Sequence, residues 1–320
     1  MSQMTSSAAA VRPSSVALQG ILLMTIAMLL GPIIDGIAKY LTYFYAPVLV
    51  AFLRYVGQGF LALCVALALR KDILALLREF DMGQFWRGAC IALSSVFFFV
   101  ALKYVPLADA IAIFFVQPLI LTALSAVVLK EKVDAKRWGA VVVGLIGAMV
   151  IIQPGTGAFS AYSILPVIAA TFFAVYLLLT RRLSGQGTVL GVQISTSIAG
   201  LLALAPILIV GTMTDYDLAI WTTPSLEHLW AILALGFVSL SAHGIIILAF
   251  DRTPASVLAP LNYVSIVSAT IFGVVVFGDW PEPTVWIGVS LIIAGGIYIA
   301  YSTRDAIDAR QDDIPPMPAE

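Results

Sequence analysis

Ten stretches of this sequence are almost entirely apolar over about the length of a helix that crosses a lipid bilayer. A hydrocarbon core about 30 Å thick is crossed by roughly 20 helical residues. The stretches are continuous rather than alternating, which argues against strands. We therefore predict an all-α integral membrane protein with ten transmembrane helices, of which the fifth and sixth are the shortest. The predicted spans are Val16–Tyr40, Pro47–Leu69, Gln84–Tyr104, Leu107–Leu129, Trp138–Ile152, Ile164–Thr180, Val189–Val210, Leu229–Phe250, Ala255–Phe277 and Thr284–Tyr301.

The composition agrees with lipid as the main solvent of the chain. Only 11% of the 320 residues are charged and 61% are hydrophobic, whereas a soluble domain carries roughly 25% charged residues. The net charge of −1 gives no indication of a nucleic-acid partner. Cys64 and Cys90 lie inside apolar stretches and are expected to be free thiols. The two histidines, His228 and His243, lack zinc-ligand spacing, so we expect no metal and no cofactor.

The basic residues predict the orientation. The first apolar stretch exceeds the 7–15 residues of a signal-peptide core, so we expect a retained span after a cytoplasmic segment 1–15. With the N-terminus inside, all of the 17 lysines and arginines except Lys39, Arg54 and Lys103 lie on the cytoplasmic side. Cytoplasmic loops carry such an excess. Both termini are therefore predicted to be cytoplasmic in a cytoplasmic-membrane protein, with residues 302–320 a disordered tail.

The sequence also repeats itself. A shift of 148 residues places Pro106 on Pro254 and Trp138 on Trp286, while a shift of 141 places Arg54 on Ser195. Each half, 16–152 and 164–301, holds five predicted spans, and an odd number inverts the second half in the membrane. Inverted repeats build many secondary transporters, whose sites lie near the midplane between the halves.

Several motifs of the chain resemble those of the EamA-type family of the drug/metabolite transporter superfamily. They are Gly31-Pro32 in the first span, "AFLRY" with Arg54, and "VPLADA…QPL…VVLKEK" with Pro118 and Glu131. The second half repeats the last pattern as "TPASVLAPLNYV…VVFGDW", in which Asp279 stands where the family often has Glu. The resemblance implies a carrier of small organic metabolites with a central cavity between two five-helix repeats.

Charged residues inside the spans are the first candidates for a site, because such residues are costly in lipid and usually face protein or water. Asp35 and Arg54 lie roughly 7–10 Å below the same surface, so we predict that they form an ion pair. Lys39, one turn from Asp35, is expected to extend its amine toward that surface. Asp109 opens the fourth span. A structural ion pair with interfacial anchors and a substrate-facing or gating cluster are both compatible with this pattern.

Polar residues near the middle of the spans are the second set. His243 lies near the centre of the eighth span, opposite Ser95 in the repeat, and either bonds a neighbouring helix or serves a site as a proton acceptor. Asn262 and Tyr263 follow Pro260, and Gln117 precedes Pro118. Proline frees a backbone carbonyl, which is tolerated where it faces protein or a cavity. We therefore predict that these residues line a cavity, although ordinary bonds between helices would also explain them.

Aromatic residues cluster at 97–99, 114–115 and 172–173, with Tyr176 one turn later. Lipid contact explains most such residues, but part of each cluster must face inward. Phe115 and Tyr176 are therefore candidates to stack on a flat substrate.

These features favour a transporter over other classes. The sequence has no HEXXH motif and no nucleophile elbow, so a membrane-embedded enzyme is the weaker alternative. We predict secondary transport of a small organic metabolite, with a flat aromatic compound or a vitamin such as riboflavin as one candidate. Export of amino acids or drugs is the main alternative. Proton coupling, simple facilitation and a homodimer all remain open.

Overall fold

The protein is described by a computed structural model that covers residues 15–128, 135–152, 161–183, 186–250, 252, 261, 264–278, 280–295 and 298. Within these ranges every regular element is helical. The helices are α1 (Ser15–Thr42), α2 (Pro47–Ala68), α3 (Ile73–Arg78), α4 (Met82–Tyr104), α5 (Leu107–Phe114), α6 (Gln117–Val128), α7 (Ala135–Ile152), α8 (Leu165–Arg182), α9 (Val189–Met213), α10 (Leu229–Phe250), α11 (Val264–Phe272) and α12 (Pro283–Gly295). Single 3₁₀ turns, Ala161–Ile164 and Leu226–His228, precede α8 and α10, and a π-helical turn, Gly273–Phe277, follows α11.

Local sequence signals start several of these helices. Proline occupies the first position of α2, where its missing N–H is not needed. The carboxylate of Asp81 accepts a hydrogen bond from the Gln84 N–H at the start of α4. The hydroxyl of Thr188 accepts one from the Gly191 N–H at the start of α9. These caps satisfy N–H groups that have no partner inside a helix.

The helices from the two ends of the chain interleave. Helix α1 packs on α10, α2 packs on α9 and α10, and α4 packs on α8 and α9. Glycines permit two close crossings. A Cβ on Gly236 of α10 would lie 2.6 Å from the Gly57 carbonyl carbon of α2, and one on Gly147 of α7 would lie 2.7 Å from the Gly288 oxygen of α12. Small residues at helix crossings are typical of membrane bundles.

Six helices are long and apolar enough to cross a bilayer: α1, α2, α4, α8 with its preceding turn, α9 and α10. Their outer faces carry large exposed apolar side chains, such as Phe60 and Ile209. The predicted membrane helices are confirmed for these six, but the described residues do not establish ten spans.

The remaining predicted spans are shorter or interrupted. The predicted fourth span is broken into α5 and α6, because Pro118 has no N–H and cannot complete a continuous helix through Phe115 and Val116. Only part of the predicted ninth span, α11 with its π-helical turn, lies within the described residues. The predicted tenth span contains the short helix α12. The count of ten, the two inverted repeats and the orientation stay predictions.

Candidate functional site

A cavity of about 180 Å³ lies inside the bundle, between helices from both ends of the chain. Helices α1, α2, α4, α5 and α6 contribute to its wall from the first half of the sequence, and α8, α10 and α11 from the second. Its wall is mainly apolar, with a small number of polar side chains. The lining residues are Ala27, Met28, Gly31, Pro32, Ile34, Asp35, Arg54, Ile91, Ser94, Ser95, Phe98, Phe99, Ile111, Phe114, Phe115, Gln117, Phe173, Ala242, His243, Ile246 and Ser265.

Arg54 is the buried cation of this wall. Its Nε donates to the Ser239 hydroxyl at 3.0 Å, and its Nη1 donates to the Ser95 hydroxyl at 2.6 Å. The guanidinium also lies 5.0 Å from the centre of the Tyr55 ring. These contacts hold the guanidinium between α4 and α10. Nη2 has no hydrogen-bond partner among the described residues, so it is available to an acceptor in the cavity.

The predicted pairing of Asp35 with Arg54 stays a prediction, because the two charged groups lie within range of an electrostatic interaction but form no ion pair here. Both residues line the cavity, yet no ion pair joins them among the residues that the structure describes. Equal depth placed them correctly, but the guanidinium is directed at two serines instead. The expected extension of the Lys39 amine toward the membrane surface stays a prediction, but the side chain is covered by protein. Its side chain is only 6% exposed, and its amine lies 4.6 Å from the centre of the Phe277 ring.

His243 bonds its own helix rather than a neighbouring one, and its role as a proton acceptor stays a prediction. Its Nδ1 lies 2.8 Å from the Ser239 carbonyl oxygen one turn earlier on α10. A carbonyl oxygen only accepts, so Nδ1 must carry the hydrogen, and in the neutral ring Nε2 is an acceptor. The ring also lines the cavity. The wall therefore presents donors on Arg54 and acceptors on His243 and Asp35.

Phenylalanines form the apolar part of the wall. Phe98 contacts Phe114 edge to face at 5.2 Å between ring centres, and Phe114 contacts Phe173 at 5.4 Å. Phe99 and Phe115 complete the aromatic lining. The inward orientation expected for part of each aromatic cluster is therefore present in these residues. An aromatic wall with few polar groups suits a flat ligand with polar edges.

Six of the ten residues proposed from sequence line this one cavity: Asp35, Arg54, Ser95, Phe115, Gln117 and His243. Asp109 lies in the first turn of α5, away from the lining. Tyr176 packs against Phe173 at 5.4 Å between ring centres but does not line the cavity. Asn262 and Tyr263 lie outside the described residues.

Sequence reasoning missed Ser239, which holds Arg54, and Ser94, which lines the cavity and donates to the Ala169 carbonyl at 2.8 Å. Serines occur throughout membrane helices and usually bond their own backbone. Nothing in the local sequence separates these two from the others.

The described part of the chain contains no group of three or more histidines, cysteines or acids that could hold a metal ion. Nδ1 of His243 is engaged by a backbone carbonyl. The cavity groups can bind and orient a solute by hydrogen bonds and ring contacts. The fold and the site thus define a multi-pass helical membrane protein with a binding cavity inside its bundle.

Comparison with known proteins agrees with this class. The sequence model of the EamA-like transporter family matches residues 18–153 and 160–301, so the chain belongs to that family. The family consists of transporters rather than enzymes, which confirms the non-enzymatic class and the multi-pass membrane location predicted above.

Three relatives illustrate the similarity. The riboflavin transporter of Vibrio cholerae is 30% identical over 88% of this chain and 93% of its own. The S-adenosylmethionine uptake transporter of Rickettsia prowazekii is 23% identical over 92% and 97%. The pseudopaline exporter CntI of Pseudomonas aeruginosa is 27% identical over 74% and 78%. One protein crystal structure superposes with a TM-score of 0.58 at 22% identity, covering 91% of this chain and 97% of its own, which shows a shared fold.

Proposed function

We propose that this protein is a secondary transporter that carries a small organic metabolite across the cytoplasmic membrane through the cavity. The observation that carries the proposal is the arrangement around Arg54. Two serines accept hydrogen bonds from Nε and Nη1 of its guanidinium, while Nη2 has no hydrogen-bond partner among the described residues, in a wall rich in phenylalanine. An acceptor on a solute would complete the hydrogen bonding of this charge. Ionisable residues inside membrane bundles commonly mark substrate pathways.

A flat, mostly uncharged aromatic metabolite fits the wall best, and riboflavin is our first candidate. The phenylalanines can stack on its ring system, and the polar groups can bind carbonyl and N–H groups at its edge. The named riboflavin transporters among the relatives support this choice. S-adenosylmethionine has named carriers among the relatives too, so it is the second candidate. Export of amino acids or drugs remains the alternative.

The size of the cavity predicts movement during transport. Sites for drug-sized ligands measure about 300–1,000 Å³, and this cavity measures about 180 Å³. A solute as large as riboflavin therefore requires the helices to separate before it is enclosed. We infer that the described conformation is one in which the cavity is partly collapsed.

Uptake and accumulation assays in cells with and without the gene test this proposal. A riboflavin auxotroph expressing the chain should grow at lower external riboflavin than the same strain with an empty vector. If riboflavin fails, S-adenosylmethionine and a panel of amino acids and drugs follow, with intracellular amounts measured in both directions. A chain that changes the distribution of no compound, although it is present in the membrane, would contradict a transport function.

We also propose ten spans in two inverted repeats, 16–152 and 164–301, with both termini in the cytoplasm. The two separate matches of the family model support two repeats, and the basic residues support the orientation. Cysteine labelling tests this in intact cells. A cysteine at Asp215 should react with an impermeant reagent from outside, whereas one at Lys132, which lies outside the described residues, should react only after lysis. Labelling of both from one side would refute the topology.

A further inference from the structure

Four buried polar atoms without a partner lie on the three neighbouring helices α2, α4 and α9, on residues other than those that hold Arg54. They are Oε1 of Gln58 on α2, Oε1 of Gln84 and Nε of Arg87 on α4, and Oγ of Ser195 on α9. These side chains are between 1% and 3% exposed. Buried polar groups nearly always bond to protein or to ordered water, and each exception needs an explanation. Four such atoms at the contacts of α2, α4 and α9 indicate something that protein atoms alone do not supply.

Exchanging the oxygen and nitrogen of the Gln58 amide would not give its oxygen a hydrogen-bond partner. Nε2 of Gln193 donates to the Leu240 carbonyl at 2.9 Å, which turns the Gln193 oxygen toward Gln58. Gln58 in turn donates its amide to that oxygen at 3.5 Å. Rotating the Gln58 amide by half a turn would place two oxygens together. Its Oε1 therefore needs a donor from another source.

Arg87 needs an acceptor in the same region. Its Nη2 makes only two long bonds, 3.4 Å to the Val192 carbonyl and 3.5 Å to the Thr196 hydroxyl. No acidic side chain forms an ion pair with it in the part of the chain that the structure describes. A buried charge in a membrane bundle requires a partner or water. Gln84 lies three residues earlier on the same helix face, and its Oε1 needs a hydrogen-bond donor. Whatever occupies this region must therefore both donate and accept hydrogen bonds.

Water meets all of these requirements, whereas a simple anion offers acceptors alone. We propose that ordered water occupies the contacts of α2, α4 and α9, and that this hydrated seam extends the central cavity. Gln58 is one turn beyond Arg54 on α2, and Arg87 is about two turns before Ser95 on α4. The seam thus begins beside the groups that hold the Arg54 guanidinium.

The other end of the seam lies where α4 begins. There Gln84 donates to the Gln186 carbonyl at 3.4 Å, and the Glu79 carboxylate accepts from the Thr188 N–H at 2.9 Å. Polar side chains therefore occur on α2, α4 and α9 from the level of the cavity to one end of the bundle. The inference goes beyond the proposed function, because the seam is hydrated whichever solute the protein carries.

Radiolytic hydroxyl-radical footprinting of the purified full chain tests the seam, because bound water irradiated with X-rays produces radicals that oxidise adjacent sulfur atoms. The background carries Cys64→Ala and Cys90→Ala. Ser195→Cys replaces a hydroxyl by a thiol of similar size. Ala62→Cys is the matched control, because Ala62 is fully buried on α2 in an apolar cluster with Ile194.

We expect the thiol in Ser195→Cys to be oxidised severalfold faster than the thiol in Ala62→Cys. Gln58→Met provides a second sulfur in the seam, so that the test does not depend on one variant folding. Faster oxidation at either seam position, in a protein with unchanged melting temperature, supports ordered water. Oxidation of Ser195→Cys at the rate of Ala62→Cys, and of Gln58→Met at the rate of an Ala62→Met control, would overturn the proposal. The assay needs no solute, so its failure would leave the transport proposal to its own test.

Discussion

The bond between Arg54 and Ser95 makes a prediction that needs no knowledge of the solute. Ser95→Ala removes the acceptor of the 2.6 Å bond and leaves Nη1 of a buried guanidinium without it. Hydrogen bonds to charged groups contribute about 1.5–3 kcal/mol, and an unsatisfied buried charged group costs more than a neutral one. We therefore expect Ser95→Ala to lower the free energy of unfolding by about 1.5–3 kcal/mol.

The same substitution should cost much less once Arg54 has been replaced. In an Arg54→Met background the Ser95 hydroxyl retains only its 2.8 Å bond to the Ile91 carbonyl and its 3.3 Å contact with the Tyr55 hydroxyl. A bond from serine to the carbonyl one turn earlier contributes little to stability. The double-mutant cycle should therefore give a coupling free energy of about 1.5–3 kcal/mol between Arg54 and Ser95.

The neighbouring serine is the matched control. Ser94 also lines the cavity, but its hydroxyl donates to the Ala169 carbonyl rather than accepting from Arg54. Reversible unfolding in mixed detergent micelles, followed by circular dichroism, measures all of the variants. Ser94→Ala should cost the same in both backgrounds, to within about 0.5 kcal/mol. Equal costs of Ser95→Ala in the two backgrounds would refute the assigned bond.

Two further predictions follow from packing and from the cavity wall. Gly236→Val should reduce the amount of folded protein in the membrane, because its Cβ would meet the Gly57 backbone at 2.6 Å and overpacking costs about 1–3 kcal/mol. Gly31→Ala should be tolerated, because nothing lies within 4 Å of the added atom. Equal amounts of both variants in immunoblots would contradict the close crossing of α2 and α10. Phe98→Leu should lower the apparent affinity for a flat aromatic solute about 2- to 12-fold in uptake assays, the equivalent of about 0.5–1.5 kcal/mol for a ring contact. Phe237→Leu, on an exposed face, should have no effect, and similar affinities for both variants would count against stacking in the cavity.

The long helices could be predicted from sequence because lipid requires each crossing segment to satisfy its own backbone. Apolar length alone therefore located α2, which begins at the predicted Pro47, and α4, which ends at the predicted Tyr104. Pro118 indicated an irregularity in the fourth span, but a proline permits either a kink or a complete break. The residues at which the helix stops depend on packing around it.

The site was predicted only in part, because sequence position gives the depth of a side chain but not its partners across the bundle. Arg54 is the example. Sequence position gives the depth of a side chain in a span, so Asp35 and Arg54 were correctly placed at one level. It does not give the direction in which a side chain extends across the bundle. The partners of Arg54 are Ser95 and Ser239, which are 41 and 185 residues away in the chain. Their meeting depends on how α2, α4 and α10 pack.

The central claim is that a solute binds in this cavity on its way across the membrane. Counterflow of radiolabelled riboflavin in proteoliposomes tests it, with purified wild type, Gln117→Ala and Thr171→Ala compared at equal protein amounts. Gln117 is buried in the cavity wall, whereas Thr171 is exposed and bonds only the Val167 carbonyl of its own helix. We predict saturable counterflow by wild type and Thr171→Ala, and a marked loss in Gln117→Ala. Wild-type counterflow that Gln117→Ala leaves unchanged would contradict a binding site in this cavity.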